Sequence, residues 1–413
     1  MLIYTISKGD RNLSGEISLA PSKSISNRDI VIRALRNSKF DIKAISEKDA
    51  AKVIDKLLRK GKVTLDKGDP AKAIRFLRAF LTYFKGEWII TGSAEMRKRP
   101  VGDVIDILHN QGLNIKYLER DGFPALKIIG KGLKGSITRV DASICSQFIS
   151  ASLLISQVLP AEDVVGLKNR IINSPYIDQT IRLLNYLGVN SNWDKQEILV
   201  EHQLNDGTEM SIEPDWLSAS YWYQMAALAS KAEFKINGLN PESVQSDAIV
   251  KEIFEPLGVK TIITEKGVII TKAKRKIKTF EYNFSNNPDL VPTLVVTCVA
   301  LKIPFRFSGI EILRHKDTDR VMALQTQMIK LGAKIKVEKK GELETLTFDG
   351  KSKISVKEPI TFSTFGDHRI AMALAPLSIL GLKLNLEDPR AVSKSYPCYW
   401  DDYKKLGFQI VQI

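Results

Sequence analysis

A helix that ends in glycine, followed at once by a short β-like run, recurs six times in this chain. The segments are KLLRKGKVTL around Gly61, ILHNQGLNIKY around Gly112, LLNYLGVNSNW around Gly188, IFEPLGVKTII around Gly258, MIKLGAKIKV around Gly332 and YKKLGFQIVQI around Gly407. Successive glycines lie 51, 76, 70, 74 and 75 positions apart. A glycine just past a helix takes up the left-handed backbone that closes the last turn, and the next residues then start a strand. Leu-Gly endings occur in any α/β protein. The near-constant spacing is what favours a true repeat of six α/β elements, the first of them shortened. A length of 413 residues has room for two or more domains with large cores.

Three apolar helical stretches begin with polar residues. Ser143 to Phe148 leads into ISASLLISQVL, Asp317-Thr318-Asp319-Arg320 into VMALQTQMI, and Gly366-Asp367-His368-Arg369 into IAMALAPLSIL. Each body is apolar over most of its length and is predicted to be buried. A buried helix whose first turn carries Arg or Gln aims those groups at a cleft, where they need partners. An anionic ligand would supply them. Near the N-terminus, Pro21 to Arg28 sets Lys23 and Arg28 around the start of another predicted helix (Ile25, Ile30, Val31, Ala34, Leu35). The unpaired N–H groups of a first turn suit phosphate or carboxylate, and the two cations add full charges. A bland reading stands beside it, in which Ser22 or Ser24 simply caps a surface helix.

Charge agrees with an anionic partner. Lys and Arg number 61 against 47 Asp and Glu, a formal net charge of +14. Many lysines fall in surface-like runs, Lys272 to Lys278 and Lys336 to Lys340, which read as solvated faces. Zinc-finger spacing and aromatic RNA-binding signatures are absent from the sequence, so nucleic acid is not expected. Cys145, Cys298 and Cys398 lie far apart, without a C-x-x-C pair, which suits a reducing compartment. The start MLIYTISKGD is too short and polar for a signal peptide, and no apolar run is long enough to span a bilayer. A soluble, cytoplasmic protein is expected, with no membrane association.

Eight segments occur in the order seen in one family. They are Ser22 to Arg28, Arg97-Lys98-Arg99-Pro100, Cys145-Ser146-Gln147-Phe148, Pro175-Tyr176-Ile177-Asp178, Asp215 to Tyr221, Lys316-Asp317-Thr318-Asp319-Arg320, Asp367-His368-Arg369 and Lys394-Ser395-Tyr396-Pro397. Together they resemble the 5-enolpyruvylshikimate-3-phosphate synthases, over essentially the whole chain. The resemblance implies an α/β fold of two domains, each of three repeated βαβαββ units with pseudo-threefold symmetry. It places crossings near residues 20 and 238, so that residues 1–19 plus 239–413 form one discontinuous domain and 20–238 the other. The active site is implied to lie in the interdomain cleft.

The implied reaction transfers the enolpyruvyl group of phosphoenolpyruvate to the 5-hydroxyl of shikimate 3-phosphate by addition and elimination, releasing phosphate. Many cations must converge on two phosphates and two carboxylates, and protons must be moved to and from the reacting atoms. No phosphorus–oxygen bond breaks, so neither a metal nor a cofactor is implied, and the protein is expected to act as a monomer. By resemblance, Lys23, Ser24, Arg28, Ser146, Gln147, Asn173, Asp289 and Lys316 would hold shikimate 3-phosphate. Lys23, Ala71, Arg99, Gln147, Arg320, Arg369 and Lys394 would meet phosphoenolpyruvate. Arginine suits both anionic groups through paired N–H donors. Asp289, Asp317 and Lys23 are the implied proton-transfer groups, with His368 orienting the phosphate region.

The sequence also departs from the family. The pattern Asn-Ala-Gly-Thr-Ala-Met-Arg stands here as Asp69 to Arg75, with Ala71 in place of the glycine and Lys72 in place of the threonine. The added methyl is expected to hinder the larger inhibitor glyphosate more than the substrate. Asp317 is one methylene shorter than the family's glutamate, a difference that catalytic geometry feels. Asn173 replaces a serine, and Cys145, a weaker donor, replaces another. Two other readings follow. One is a weakened or inactive homologue that still binds shikimate 3-phosphate. The other is the related UDP-N-acetylglucosamine enolpyruvyl transferase, whose loop cysteine has no counterpart between Glu95 and Asn110.

Overall fold

The computed structural model describes residues 2–36, 62–65, 86–92, 97, 105, 114–130, 138–141, 146–156, 163–168, 171, 174–201, 212–341, 343–354 and 359–413. Within them the glycine endings behave as their pattern predicts. Gly188, Gly258, Gly332 and Gly407 have φ of 82°, 89°, 66° and 83°. At Gly258 the need is also steric, since a Cβ there would come within 2.7 Å of the Ala273 carbonyl oxygen. The strands Ser191–Asp194, Val259–Thr264, Lys336–Lys340 and Gln409–Gln412 follow these endings. Gly61 and Gly112 lie outside the described residues, as do Ala71, Arg99, Cys145, Asn173 and the whole 69–75 stretch.

Among the described residues, five four-stranded sheets share one strand order. Two neighbouring strands run parallel, and two further strands extend the second of them antiparallel. In the sheet of Phe280–Asn283, Phe305–Ser308, Leu343–Phe348 and Lys336–Lys340, the first two are parallel and the others antiparallel. The helix Val291–Leu301 makes the parallel crossover and Arg320–Ile329 precedes the hairpin. Thr138–Asp141, Asp163–Lys168, Glu197–Val200 and Ser191–Asp194 repeat the arrangement with helices Ser146–Ser156 and Ser174–Tyr186. Lys62–Leu65, Gly86–Gly92, Leu126–Gly130 and Asn114–Tyr117 repeat it again. The three lysines and one glutamate of the edge strand Lys336–Lys340 are exposed, a common guard against strand addition.

The last two sheets show why one unit is discontinuous. The N-terminal strand Ile3–Ser7 sits between Leu384–Glu387 and Gln409–Gln412, completing the motif at the C-terminus. The next strand, Asn12–Ser18, pairs in parallel with Lys231–Asn237, more than two hundred residues later. The chain divides into unit 1, Met1–Ser22 with Glu213–Ile413, and unit 2, Lys23–Ile212. The return at Glu213 differs from the expected crossing near residue 238. Gly238 is a turn, with φ of 78°, but it closes a strand that already belongs to unit 1. The outgoing and returning strands meet earlier, where Ser22 N donates to Glu213 O at 2.8 Å and Asp215 N to Ala20 O at 3.1 Å.

Three buried helices fill unit 1, one for each of its sheets. Trp216–Leu228 is buried at every residue, and Val291–Leu301 and His368–Leu374 nearly so. Each packs on the other two. Near its first turn each carries an aspartate: Asp215 and Asp367 as N-caps, and Asp289 in the turn Pro288–Leu290. The helix Arg320–Ile329 is only half as buried as its sequence predicts. Val321, Leu324 and Met328 face the core, while Met322 and Ile329 are exposed.

Candidate active site

Unit 1 gathers three of the predicted site residues around the carboxylate of a fourth. Asp289 Oδ1 accepts from Arg320 Nη1 at 2.8 Å and lies 3.3 Å from Lys316 Nζ, while Oδ2 lies 3.4 Å from Arg369 Nη2. Burial alone would raise the Asp289 carboxyl. Lys316, Arg369 and Arg320 outweigh it and hold the group well below the usual carboxylate range. Lys316 is pushed down by burial, with Asp289 opposing. Arg320 and Arg369 rise against their own burial because carboxylates face them.

The arginines are aimed by local structure. Asp367 caps its helix by accepting from Arg369 N at 2.8 Å, and the same carboxylate takes Arg320 Nε at 2.8 Å and Nη2 at 3.4 Å. One residue therefore ends a helix and fixes a guanidinium. Before it, Phe365 and Gly366 both have left-handed backbone, at φ of 53° and 66°. Lys394 Nζ holds this turn by donating to Gly366 O at 2.7 Å. Tyr221, wholly buried, has its hydroxyl 3.5 Å from Arg369 Nη1. Burial pushes that phenol up to about 12, so it stays neutral, with its oxygen accepting from Arg369.

His368 Nδ1 lies 3.4 Å from Asp317 Oδ2. Burial pushes the imidazole down to about 4, against the pull of Asp317. The ring is thus neutral near pH 7, and the pair is a polar contact rather than an ion pair. Asp317 is drawn towards the histidine that follows the Asp367 cap.

Unit 2 holds a second group of predicted residues, built differently. Lys23 opens the helix Lys23–Arg36 and is exposed. One turn on, Arg28 is 3% exposed. Its Nε donates to Thr180 Oγ1 at 2.8 Å, Nη1 to Ser24 O at 2.8 Å and Ser24 Oγ at 2.7 Å, and Nη2 to Ser150 Oγ at 3.2 Å and Tyr176 O at 3.1 Å. Among the described residues every one of these acceptors is neutral. Burial accordingly lowers the Arg28 guanidinium to about 10, with no carboxylate restoring it. Ser24 Oγ donates in turn to Gln179 Oε1 at 3.0 Å. Ser146 and Gln147 begin the helix Ser146–Ser156, which packs against the Lys23 and Ser174 helices. Arg97 pairs with exposed Glu119 at 3.1 Å.

Comparison with known proteins identifies the family of the chain. A family model, EPSP synthase (3-phosphoshikimate 1-carboxyvinyltransferase), matches residues 43–403. A 3-phosphoshikimate 1-carboxyvinyltransferase from Bacteroides fragilis is 38% identical over 399 residues, covering 96% of each chain. The chain belongs to the EPSP synthase family. A relative of the same name from Photobacterium profundum is 28% identical, covering 96% of this chain and 97% of its own. Among solved structures, EPSP synthase from Acinetobacter baumannii aligns over the whole of both chains with a TM-score of 0.74 at 19% identity. The enolpyruvyl transferase NikO from Streptomyces tendae aligns with a TM-score of 0.71 at 15% identity, covering 100% and 99%. Both show the two-domain enolpyruvyl-transferase fold.

Sequence reasoning missed several partners. Asp367 was legible as an N-cap, because an aspartate stands just before an apolar helix, but not as the anchor of Arg320, 47 residues away. Thr180 and Ser150, the neutral acceptors of Arg28, carry no local signal. Tyr221 and Asp247 are buried polar groups in apolar or mixed sequence, and only the packing reveals what they face.

Proposed function

We propose that the chain transfers the enolpyruvyl group of phosphoenolpyruvate to the 5-hydroxyl of shikimate 3-phosphate and releases phosphate. The observation that carries this reading is the Asp289 carboxylate within 3.4 Å of Lys316, Arg320 and Arg369. Three cations still exceed the two carboxylates they face, Asp289 and Asp367, so the cluster suits a carboxylate or phosphate from outside. Asp289, ionised before substrate binds, is an acceptor for the sugar hydroxyls. When Arg320 and Arg369 turn part of their charge to phosphoenolpyruvate, Asp289 gains basicity and takes the 5-hydroxyl proton. The oxygen bonds to C2 as a proton is delivered to C3, giving a tetrahedral ketal phosphate. Phosphate then leaves with the C2–O bond as C3 gives up a proton, which restores the enol ether.

Arg28, buried among neutral oxygens, would hold the phosphate of shikimate 3-phosphate together with Ser24, Lys23, Ser146, Gln147, Asn173 and Lys316. Arg99, Ala71, Gln147, Arg320, Arg369 and Lys394 would bind phosphoenolpyruvate, and Asp317 and Lys23 would share the C3 proton with Asp289. In this reading the protein is a cytoplasmic monomer, and its excess charge serves small anions rather than nucleic acid. Among the described residues no helix is long and apolar enough to cross a membrane. The test is phosphate release by the purified protein, with each substrate omitted in turn. Release that needs both is expected. Release with phosphoenolpyruvate alone, or none with both, would overturn the reading.

A further inference from the structure

Asp247 has no task in the mechanism above, yet it lies in the same charge cluster. It stands in the single turn Ser246–Ile249 and is 6% exposed. Its Oδ1 makes no hydrogen bond among the described residues, and neither does Ser246 Oγ beside it. Two neighbours fix the turn. Asn287 Nδ2, two residues before Asp289, donates to Ser246 O at 3.2 Å. The Gln245 side chain donates to Pro214 O at 2.8 Å and Glu213 Oε1 at 2.9 Å, and accepts from Trp216 N at 3.1 Å. The turn that carries the carboxyl is therefore tied to the Asp289 turn on one side and to the capped start of the Trp216 helix on the other.

The charges that act on it come from four elements. Asp289 and Asp215 repel its ionised form, and Arg369 and Lys316 attract it. On the helix that follows, Lys251 donates to Pro241 O at 2.8 Å and Glu252 acts on Tyr282. An ionised carboxylate that is buried, short of one hydrogen bond and beside two like charges is costly. Burial first, and then Asp289 and Asp215, push the Asp247 carboxyl up to about 7.

We infer that Asp247 is a positioning residue for the transfer reaction: the proton on its carboxyl decides how much of the positive charge of Lys316 and Arg369 is left for the substrate anions. The inference rests on the enolpyruvyl-transfer reading and adds to it a pH-dependent substrate affinity. With Asp247 protonated, Lys316 and Arg369 face Asp289 and the incoming anion. With Asp247 ionised, a second buried carboxylate draws on the same two cations, and phosphoenolpyruvate is held less tightly. Asp247 touches no reacting atom in this scheme. It acts through Lys316 and Arg369.

The test compares the full-length wild type with Asp247→Asn, measuring kcat and KM for phosphoenolpyruvate from about pH 6 to about pH 8.5. Dividing variant by wild type at each pH cancels the titration of the substrates themselves. The ratio of kcat/KM is expected to climb about tenfold over this range, and the climb is carried by KM, because only the wild type gains a charge. A ratio that stays flat or falls overturns the inference. Wild-type turnover that needs both substrates tests the transferase reading separately, so a flat ratio in an active enzyme counts against Asp247 alone. If the variant does not fold or the wild type does not turn over, carbon-13 titration of the wild-type aspartate side chains decides. One aspartate titrating near neutral pH is expected, and none titrating above about pH 5.5 would contradict it.

Discussion

The two groups of site residues solve the same electrostatic problem in opposite ways. In unit 1, Arg320 is 2% exposed and held by Asp289 and Asp367, so its charge is met inside the protein. In unit 2, Arg28 is equally buried, but among the described residues it donates only to hydroxyls, a carbonyl of its own helix and the carbonyl of Tyr176. A compensated cation stabilises the fold and yields part of its charge to a ligand. An uncompensated one costs stability until an anion arrives. The difference teaches that burial of an arginine says little by itself. The charge of its acceptors separates a structural ion pair from a place that awaits a phosphate.

Four substitutions would break or sharpen this contrast. The largest effect is expected at Asp289, where Asp289→Asn keeps the shape but removes both the hydroxyl acceptor and the base. Its kcat, followed by phosphate release, should fall about 10³-fold. Arg28→Met should weaken shikimate 3-phosphate binding by about 10²-fold, since a charge-assisted contact is lost. Its melting temperature should not fall, because Thr180, Ser150 and the Tyr176 carbonyl already bond to one another at 2.9–3.3 Å. Arg320→Met should do the reverse to stability. It strands the buried Asp367 carboxylate and takes one of three cations from Asp289, and urea unfolding should show a loss of about 3–5 kcal/mol.

That loss should depend on pH in a defined direction. Asp289 and Asp367 have carboxyls held below their usual range in the folded state. Groups of this kind add stability above the unfolded carboxylate range, and lose it as pH falls through their folded values. The gap between wild type and Arg320→Met is therefore expected to narrow on acidification below about pH 4. A gap that widens there would mean that these carboxylates do not depend on Arg320. The smallest effect is expected at His368. The ring is neutral well above pH 4, so His368→Asn should lower kcat by about tenfold or less without moving the limbs of the pH profile above pH 6. A shifted limb would mean that the ring titrates in the working range.

Much of the fold was legible because it rests on local chemistry. A glycine past a helix needs φ above zero, and Gly188, Gly258, Gly332 and Gly407 all have it. The polar heads of the apolar helices were legible for the same reason, since Asp319 and Asp367 cap the turns that present Arg320 and Arg369. Unit boundaries were harder. Gly238 marks a turn as clearly as any boundary would, and only the parallel pairing of Lys231–Asn237 with Asn12–Ser18 shows that it lies inside unit 1. The buried partners were not legible at all. That Thr180 would meet Arg28 across 152 residues, or that Asp247 would lie among the charges around Asp289, depends on packing between repeats. The exposed flank of Arg320–Ile329 was missed because Met322 and Ile329 read as core residues by type.

The contrast between the two arginines is tested most directly by calorimetric titration of shikimate 3-phosphate, without phosphoenolpyruvate, into wild type, Arg28→Met and Arg369→Met. The account predicts that Arg28→Met loses affinity about 100-fold while Arg369→Met stays within about threefold of wild type, because its cation serves Asp289 and the second substrate. Equal losses in both variants, or a loss confined to Arg369→Met, would contradict it.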